Sequence, residues 1–488
     1  MIKGEVMLEH IFPVKVIKTE GNVKNAASLL KKKDLLVGFF EKNQAIVSGE
    51  AAIMLDFGKE YCGAVRIITT AGEGACKNKS VRIRLGESVS ETTSAPLDYS
   101  DDMIENTTAT NDHAVRDFKT YLPLMSDMTF NRSGFRFLRI DFPVGSEFYV
   151  KAIVIEAETF VKKQVYAYAG SDERVRDIFE TAKRTVTLCV QNNYVWDGIK
   201  RDRLVWMGDM HPEMLALTTL YGSVKQFENS LDYHKRATPK NGWMNTMPTY
   251  SVWYLAILSD YYEATKNARF IKKHLLYSHK VVAQCLNCID ESGEMHYPDY
   301  FLDWPTRAFD DRIDGCRALN IYAFKKLKKL YEYFGEDCSY VDELLARLNK
   351  IPMKENLKFK QVVAMKYLAT GKITDSEKAF LVKGGAKGLS TFMSYYILKA
   401  IADTNGKQAA IDIMKEYYGK MLDLGATTFF EDFNVDWALE AGRIDELPDP
   451  EKVDFHKTYG EYCYKGYRHS FCHGWSSGVI KFIKEYCE

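Results

Sequence analysis

Residues 170–190 read GSDERVRDIFETAKRTVTLCV, and the pattern of apolar residues changes at this stretch. Its apolar residues recur every three to four positions, the period of an amphipathic α-helix, and Ser171 is a suitable N-cap. The helical period dominates from here to the C-terminus, whereas the preceding residues alternate with a period of two. The stretch therefore predicts a boundary between a β-rich N-terminal part and a helical C-terminal part.

The residues after this boundary predict a long series of helices. Helical periodicity is found over residues 213–221, 250–265, 270–288, 319–334, 340–348, 358–369, 391–404, 409–421 and 474–486. Helices of ordinary length would number about a dozen over such a distance. That number fits six helical hairpins closed into a ring, the (α/α)6 toroid, and no fixed repeat points to an open solenoid. We therefore predict that residues 166–488 form an (α/α)6 domain.

The residues before the boundary predict an antiparallel β-sandwich. Short runs of β-branched and aromatic residues alternate with polar residues and end at turn formers, as in residues 64–69, 81–85, 135–142 and 148–156. The polar stretch 97–112 is expected to be a surface loop. The fold class is therefore mainly α with an N-terminal all-β domain, in which a β-sandwich at residues 1–165 precedes the toroid.

Composition and charge exclude several classes of partner. Lys plus Arg and Asp plus Glu both number 66, so the formal net charge is zero. Binding to nucleic acid or to an anionic membrane surface needs a basic excess or stripe, which is absent. No run of apolar residues is long enough to span a bilayer. The N-terminus lacks a secretory signal, which predicts a cytoplasmic protein, with a secreted form whose signal was removed as the alternative. The oligomeric state is left open.

The cysteines give no sign of a disulfide framework or a metal site. The ten cysteines are scattered along the chain, and only Cys285 and Cys288 lie close together. A single C-x-x-C without a second pair, or a nearby pair of histidines, cannot complete four ligands. We therefore interpret this pair as structural.

The densest polar cluster is DGIKRDRLVWMGD, residues 197–209. It places three carboxylates, two arginines and a tryptophan between two helical stretches. Carboxylates accept hydrogen bonds from sugar hydroxyls, arginine orients those groups, and tryptophan packs against the apolar face of a sugar ring. The cluster therefore indicates a carbohydrate site, and the alternative is a salt-bridged helix N-terminus.

A second cluster follows much later in the chain. Residues 427–437 read TTFFEDFNVDW and residues 469–475 read HSFCHGW. Glu431 lies among three phenylalanines, and we expect this apolar setting to raise the pKa of its carboxyl by desolvation. The alternative is a surface helix start with Glu431 in its first turn, and His473 alone would fit a core histidine.

Two carboxyl groups in aromatic settings match the requirement of glycoside hydrolysis. One carboxyl donates a proton to the leaving oxygen, and the other attacks the anomeric carbon or activates a water molecule. No serine hydrolase elbow, phosphate-binding loop, zinc protease motif or dinucleotide glycine pattern competes with this interpretation. The sequence therefore predicts a glycosidase.

These segments together resemble the α-L-rhamnosidases. DGIKRDRLVWMGD is similar to a signature of that family, GATTFFEDF (residues 425–433) to its later glutamate segment, and HSFCHGW to the histidine segment that follows. The order and separation of the segments agree as well, with Asp303 and Trp304 between them. The resemblance implies an inverting, exo-acting enzyme that releases a terminal 6-deoxy sugar from an oligosaccharide or glycoside.

The resemblance also implies roles for individual residues. Asp202 would be the general acid and Glu431 the general base. Residues implied to contact the substrate are Asp197, Arg201 and Asp209 at sugar hydroxyls, Trp206 and Trp304 in the aromatic wall around the 6-deoxy methyl, and His473 near the base. A carbohydrate substrate is the only partner implied, with neither metal nor cofactor.

One position departs from the family pattern. The acid position usually holds Glu, and Asp202 is shorter by one methylene, about 1.5 Å of reach. Two alternatives therefore stand beside the rhamnosidase. One is another (α/α)6 carbohydrate enzyme, an unsaturated uronyl hydrolase or a lyase, in which Arg201 and Arg203 would pair with a substrate carboxylate. The other is a non-catalytic sugar-binding protein on the same scaffold.

Overall fold

The computed structural model describes residues 4–39, 41–71, 79–94, 115–145, 147–461 and 463–488. An antiparallel β-sheet comes first and many helices follow, in the predicted order. The predicted surface loop at residues 97–112 lies outside the described residues.

Seven strands form one hydrogen-bonded sheet. They are β1 (Glu5–Ile11), β2 (Lys15–Lys24), β3 (Ala45–Thr69), β4 (Ser80–Gly86), β5 (Asp117–Tyr121), β6 (Asp127–Phe142) and β7 (Glu147–Val161). The order is β1-β7-β3-β6-β4-β5, and β2 also pairs with β3. Gly63 of β3 lies opposite Ala157 of β7 and Ile68 opposite Ala152, so these two strands run in opposite directions. The four predicted strand segments fall within β3, β4, β6 and β7.

The central strand β3 is covered on both faces. Ile53 and Leu55 pack in the core of the sheet, whereas Met54 points the other way and packs against Phe137. Because successive side chains of a strand alternate between faces, burial on both sides gives a nearly continuous apolar run at this point. The second face meets the helical part, where Arg136 of β6 donates a hydrogen bond of 3.0 Å to the Gly425 carbonyl.

Thirteen α-helices occupy the described residues after the sheet. They are α1 (Glu173–Cys189), α2 (Met210–Tyr221), α3 (Lys225–Ala237), α4 (Pro248–Thr265), α5 (Ala268–Leu286), α6 (Asp311–Phe334), α7 (Ser339–Leu348), α8 (Lys360–Thr370), α9 (Asp375–Val382), α10 (Ser394–Asn405), α11 (Lys407–Asp423), α12 (Phe455–Thr458) and α13 (Val479–Tyr486). Every predicted helix has a counterpart, whereas α3, α9 and α12 were not predicted. No helix in the described part of the chain is long and apolar enough to cross a membrane.

The start of α1 corrects one prediction. The N-cap is Asp172 and not Ser171, because the Asp172 carboxylate accepts a hydrogen bond of 3.2 Å from the Val175 backbone N–H. Aspartate and serine are nearly equal as N-caps, so the sequence alone does not choose between neighbouring positions.

Six helices, α2, α4, α6, α8, α10 and α13, form a closed cycle of contacts. Each packs against the next, and α13 returns to α2. We call these the inner helices. Helices α5, α7, α9 and α11 each pack against one or two of them from outside. The pattern of apolar residues differs accordingly: the inner helix α4 is buried around nearly its whole circumference, whereas the outer helix α5 buries one face only.

Candidate active site

A cavity of about 350 Å³ opens at the N-terminal ends of α2 and α4. Acidic and aromatic side chains dominate its lining, which comprises Asp202, Trp206, Asp209, Met247, Tyr250, Asp299, Phe301, Trp304, Arg307, Glu431, Tyr464, His473 and Trp475. We call it the front cavity. It brings together six of the residues predicted for the site: Asp202, Trp206, Asp209, Trp304, Glu431 and His473.

The loop that carries Asp202 has an unusual backbone. Asp202 and Arg203 have φ values of 53° and 51°, in the left-handed region that residues other than glycine rarely adopt. The Arg203 N–H reaches the Arg201 carbonyl at 2.7 Å, which tightens the turn. Strained backbone of this kind is concentrated at functional sites, where the surrounding structure holds it. The turn places Asp202 in the cavity wall, next to the buried Arg201 and the half-buried Arg203.

Arg201 connects the two candidate catalytic carboxylates. Its Nη1 lies 3.0 Å from Asp202 Oδ1, and its Nη2 forms an ion pair with Glu431 Oε2. Its Nε donates to the Arg468 carbonyl at 2.7 Å, and the guanidinium lies 3.8 Å from the centre of the Tyr464 ring. Arg201 is therefore held by protein partners behind the wall, not in the lining where the implied contact with sugar hydroxyls would place it.

The charge of Arg201 overturns the expected pKa of Glu431. Burial raises the pKa of this carboxyl, as the aromatic setting predicted, but the charges of Arg201, His473 and His469 lower it. The result is a pKa of about 2, not the raised value that we expected. The residues next to Glu431 in the sequence indicate that its carboxyl is desolvated. They do not indicate the cation that counteracts this effect, because Arg201 lies in a loop 230 residues earlier. Glu431 is therefore ionised at neutral pH.

Asp209 joins a histidine and a tyrosine at the base of the cavity. Its Oδ1 accepts a hydrogen bond of 3.1 Å from the Tyr250 hydroxyl, and its Oδ2 lies 3.1 Å from His473 Nε2. Burial opposes the charge on His473, yet the hydrogen bond to Asp209 and the surrounding carboxylates raise the pKa of its imidazole. Gly208 allows this approach, since a Cβ there would lie 2.4 Å from the Tyr250 ring. Close packing against Tyr250 thus explains why a glycine, Gly208, precedes Asp209.

Asp197 lies behind the cavity and does not line it. Its Oδ1 accepts a hydrogen bond of 2.9 Å from the Leu204 N–H, and its carbonyl accepts one of 2.6 Å from the Gly474 N–H. Burial raises the pKa of this carboxyl well above its ordinary value. Asp197 therefore ties the Asp202 loop to the HSFCHGW segment, and the sugar contact that the resemblance implies stays a prediction.

Trp304 is held in the wall by its neighbour Asp303. The Asp303 Oδ1 accepts a hydrogen bond of 2.9 Å from the Trp304 N–H, and its Oδ2 accepts one from the Ser390 hydroxyl. The Trp304 ring packs edge-on against Phe301 at 5.3 Å, and Phe301 packs against Tyr250 at 5.9 Å. A continuous aromatic wall results.

Several lining residues were not predicted from the sequence. They are Met247, Tyr250, Asp299, Phe301, Arg307, Tyr464 and Trp475. Residues 299–305 read DYFLDWP and mix acids with aromatics as residues 197–209 do, a signal that points to Asp299 and Phe301. Tyr250 gives no local signal, because it begins a helix that is buried on all sides.

The β-sheet supports the site from behind through Glu87, which directly follows β4. Its Oε2 accepts a hydrogen bond of 2.8 Å from the Phe471 N–H, and its Oε1 accepts one of 3.3 Å from the Ser470 hydroxyl. The Ser470 carbonyl in turn accepts a hydrogen bond of 2.9 Å from the Glu431 N–H. Two hydrogen-bonding steps therefore connect the sheet to the candidate base.

Glu87 also belongs to a buried group of potential metal ligands. Among the described residues, Glu87, Glu91 and His456 place ligand atoms close together. The Lys200 Nζ lies 3.0 Å from Glu91, 3.3 Å from Glu87 and 3.3 Å from His456 Nε2. The ammonium group of the protein itself therefore provides the cation at this point.

No protein-family model and no curated protein sequence matches the chain. Solved structures do match. A rhamnosidase from Klebsiella oxytoca with rhamnose bound has a TM-score of 0.78 at 19% identity, covering 100% of this chain and 97% of its own. This chain has the fold of that rhamnosidase.

Two longer rhamnosidases share the fold as well. A GH78 family rhamnosidase of Bacillus sp. GL1 has a TM-score of 0.69 at 16% identity, over 94% of this chain and 48% of its own. An α-L-rhamnosidase from Dictyoglumus thermophilum has a TM-score of 0.68 at 15% identity, over 99% of this chain and 52% of its own. The chain therefore spans about half the length of these two proteins and nearly all of the Klebsiella oxytoca one.

Proposed function

We propose that this chain is an inverting, exo-acting glycoside hydrolase of the α-L-rhamnosidase type, which releases a terminal 6-deoxy sugar. The observation that carries the proposal is the front cavity, where Asp202 and Glu431 face one space and share Arg201. The fold similarity over the whole chain to a rhamnosidase with rhamnose bound supports the choice of sugar.

In the proposed mechanism the two carboxyl groups have opposite tasks. Asp202, protonated, donates its proton to the glycosidic oxygen as the bond from that oxygen to the anomeric carbon breaks. Glu431, ionised, takes a proton from a water molecule that attacks the anomeric carbon on the opposite face. The low pKa of Glu431 keeps it in the form that this step requires. The products are the free sugar, inverted at its anomeric carbon, and the protonated leaving group.

The remaining lining residues fit the binding of a 6-deoxy sugar. Asp209 and His473 offer polar atoms to hydroxyl groups, and Trp206 and Trp304 offer apolar surface to the methyl group. The uronyl hydrolase and lyase alternative depended on Arg201 and Arg203. Arg201 is engaged with carboxylates of the protein, and the Arg203 guanidinium lies near the Trp196 ring, at 5.8 Å.

The proposal extends to the architecture. We propose that the inner helices and their outer partners form a complete (α/α)6 toroid at residues 166–488, preceded by a β-sandwich at residues 1–165. The closed cycle of contacts from α2 to α13 supports the toroid. Strand β3, which pairs with β2, β6 and β7, supports a sheet that folds over into two layers.

A panel of aryl glycosides tests the proposed function. We expect hydrolysis of p-nitrophenyl α-L-rhamnoside and no hydrolysis of the matching α-L-fucoside or β-D-glucoside. Proton NMR during the first minutes should show the β-anomer of rhamnose first, as inversion requires. A crystal with rhamnose bound should place the carboxyls of Asp202 and Glu431 roughly 6.5–9.5 Å apart. Appearance of the α-anomer first would contradict inversion, and rhamnose binding without any turnover would leave a sugar-binding protein.

A further inference from the structure

The ring of Tyr464 stacks on the guanidinium that joins the two candidate catalytic carboxylates. Its centre lies 3.8 Å from the Arg201 guanidinium, well inside the roughly 6 Å at which a cation and an aromatic face attract each other. Tyr464 lines the front cavity, whereas Arg201 is buried behind the wall and is only 3% exposed. The wall of the cavity therefore contacts Arg201 through an aromatic face as well as through the two carboxylates.

The polar contacts of Arg201 lie along the edge of its guanidinium. Its Nη1 pairs with Asp202, its Nη2 pairs with Glu431, and its Nε donates to a carbonyl, that of Arg468. A guanidinium is planar and its N–H groups point outward in that plane, so these partners hold it by the edge. A ring stacked on a face of the group resists tilting of the plane. Tyr464 therefore supplies a restraint that the three polar partners do not.

A second arginine holds the ring of Tyr464. The Arg468 guanidinium lies 4.3 Å from the ring centre, and the Arg468 carbonyl is the acceptor for Arg201 Nε. Two cations beside one ring are each attracted by its π electrons, which offsets their mutual repulsion. Arg201, Tyr464 and Arg468 therefore form one stacked group.

The chain around Tyr464 limits the freedom of the ring. The Gly466 N–H donates a hydrogen bond of 3.0 Å to the Tyr459 carbonyl, which closes a short loop. Gly460 has a φ of 107°, and a Cβ at this position would lie 2.0 Å from the Tyr464 carbonyl. A glycine is therefore needed for the loop to turn back on itself so closely. Backbone contacts thus hold the loop that presents Tyr464 to the front cavity.

The position of Arg201 also affects the charge state of Glu431. Burial raises the pKa of this carboxyl, and nearby positive charges lower it to about 2. The groups with that lowering effect, from the largest to the smallest, are Arg201, His473 and His469. Arg201 also donates a hydrogen bond to the carboxylate, so a guanidinium that tilted away would leave Glu431 with a higher proton affinity. A change in the position of Arg201 is therefore visible in the pH profile.

We propose that Tyr464 is a positioning residue, whose ring fixes the plane of Arg201 and with it the orientation of Asp202 and Glu431. This inference rests on the proposed function and adds a residue that acts on the reaction through Arg201. The aromatic ring carries the effect and the hydroxyl group does not. Loss of the ring should therefore slow the reaction more than it weakens the binding of the substrate.

Two substitutions separate the ring from the hydroxyl group. Tyr464→Leu removes the stacked ring, and we expect kcat on p-nitrophenyl α-L-rhamnoside to fall about tenfold or more with KM within about twofold, because small displacements of catalytic groups are costly. The acid limb of its kcat/KM profile should move up into the range from about pH 4 to about pH 6. Tyr464→Phe keeps the ring and should retain the kcat and the pH profile of the wild type.

The matched control is Tyr61→Leu, which removes a tyrosine from another stack of tyrosine and arginine. The Tyr61 ring centre lies 4.6 Å from the Arg184 guanidinium, and neither residue lines the front cavity. The control should keep kcat and the pH profile of the wild type. An equal loss of kcat in Tyr61→Leu and Tyr464→Leu, or in Tyr464→Phe and Tyr464→Leu, overturns the positioning role. A rise in KM at unchanged kcat in Tyr464→Leu overturns it as well.

Crystal structures of the wild type and of Tyr464→Leu decide the inference without any activity. Tyr464 is half-buried and lies outside any helix or strand, so the variant should fold. An Arg201 side chain that has turned away from Glu431 supports the positioning role, and one in unchanged contact with both carboxylates overturns it. If the wild type hydrolyses no rhamnoside, the proposed function fails, and this pair of structures still decides the role of Tyr464.

Discussion

The inner helices have one cavity at their N-terminal ends and another further along their axes, and the two cavities differ in how their lining is built. The front cavity holds the candidate catalytic groups, and a rear cavity of about 600 Å³ lies further along the same helices. Helix α4 contributes Tyr250 to the front cavity and Asp260 to the rear, about 15 Å further along its axis. Residues of all six inner helices line the rear cavity.

Four charged residues of the rear cavity form ion pairs with each other. Lys326 forms an ion pair with Asp260, which also accepts a hydrogen bond of 2.9 Å from His211, and Lys481 lies 3.3 Å from Glu485. These partners sit on regular helices, where packing fixes their positions.

The front cavity is built mainly by connecting segments. Asp202 lies in a left-handed turn and Trp304 in a short 3-10 helix, while Glu431 and His473 lie on segments outside any α-helix. In this comparison the helices provide the frame, and the loops at one end carry the candidate catalytic residues. Substitutions in the front cavity should therefore affect activity, whereas substitutions in the rear cavity should affect stability.

The largest expected effect is that of Glu431→Gln. Glutamine keeps the shape of the side chain but cannot take a proton from water, so every substrate loses the activated nucleophile. We expect kcat to fall by about 10²–10⁴-fold on activated and natural glycosides alike. Stopped assays with p-nitrophenyl α-L-rhamnoside and with a natural rhamnoside measure it. A loss below tenfold on both would remove Glu431 from the base role.

Asp202→Asn should give an effect that depends on the leaving group. Nitrophenolate leaves without protonation. The loss of activity on p-nitrophenyl α-L-rhamnoside should therefore be several-fold smaller than the loss of activity on a natural glycoside. Asp209→Asn is the matched control, because hydrogen bonds to sugar hydroxyls do not depend on the leaving group and both substrates should suffer equally. If Asp202→Asn lowers the activity on the two substrates equally, Asp202 binds the sugar and donates no proton.

More of the fold than of the candidate site could be predicted from the sequence. Periodicity identified the sheet and most helices, because amphipathic patterns are local. It missed α3, α9 and α12: α9 and α12 are only eight and four residues long, and charged residues interrupt the apolar pattern of α3. Asp202, Trp206 and Glu431 were predicted because each lies in a dense local cluster, and all three line the front cavity. Arg201 as the partner of Glu431, and Glu87 as a support, depend on contacts between residues hundreds of positions apart, which no local pattern reveals.

Glu87→Gln tests the support that the sheet gives to the front cavity. The substitution keeps one acceptor oxygen and removes the charge beside Lys200, so Glu87 loses its hydrogen bond either to the Phe471 N–H or to the Ser470 hydroxyl. We expect kcat to fall about tenfold with KM nearly unchanged, because Glu431 is displaced and no sugar contact is lost. Glu20→Gln, a paired glutamate on β2, is the control and should leave kcat unchanged. A rise in KM at constant kcat would mean that Glu87 affects binding and not positioning.

The pH profile should show how Arg201 tunes the front cavity. A carboxyl whose folded pKa is lowered to about 2 stays ionised as the pH falls, until the pH approaches that value. We therefore expect kcat/KM for p-nitrophenyl α-L-rhamnoside to stay level from about pH 7 to about pH 4, where circular dichroism confirms that the protein is folded. An acid limb near pH 6 would show that the base has a raised pKa and that the charge of Arg201 does not control it.

The smallest expected effect belongs to the rear cavity. Lys481 and Glu485 are about one-third exposed and lie four residues apart on α13. Such a pair contributes about 0.3–0.5 kcal/mol, because water and salt screen it. Lys481→Ala should therefore lower the free energy of unfolding by no more than that amount in urea titrations and leave kcat/KM within about twofold. A tenfold loss of kcat/KM at unchanged stability would show that the rear cavity communicates with the front one, and the division of labour between the two ends would not hold.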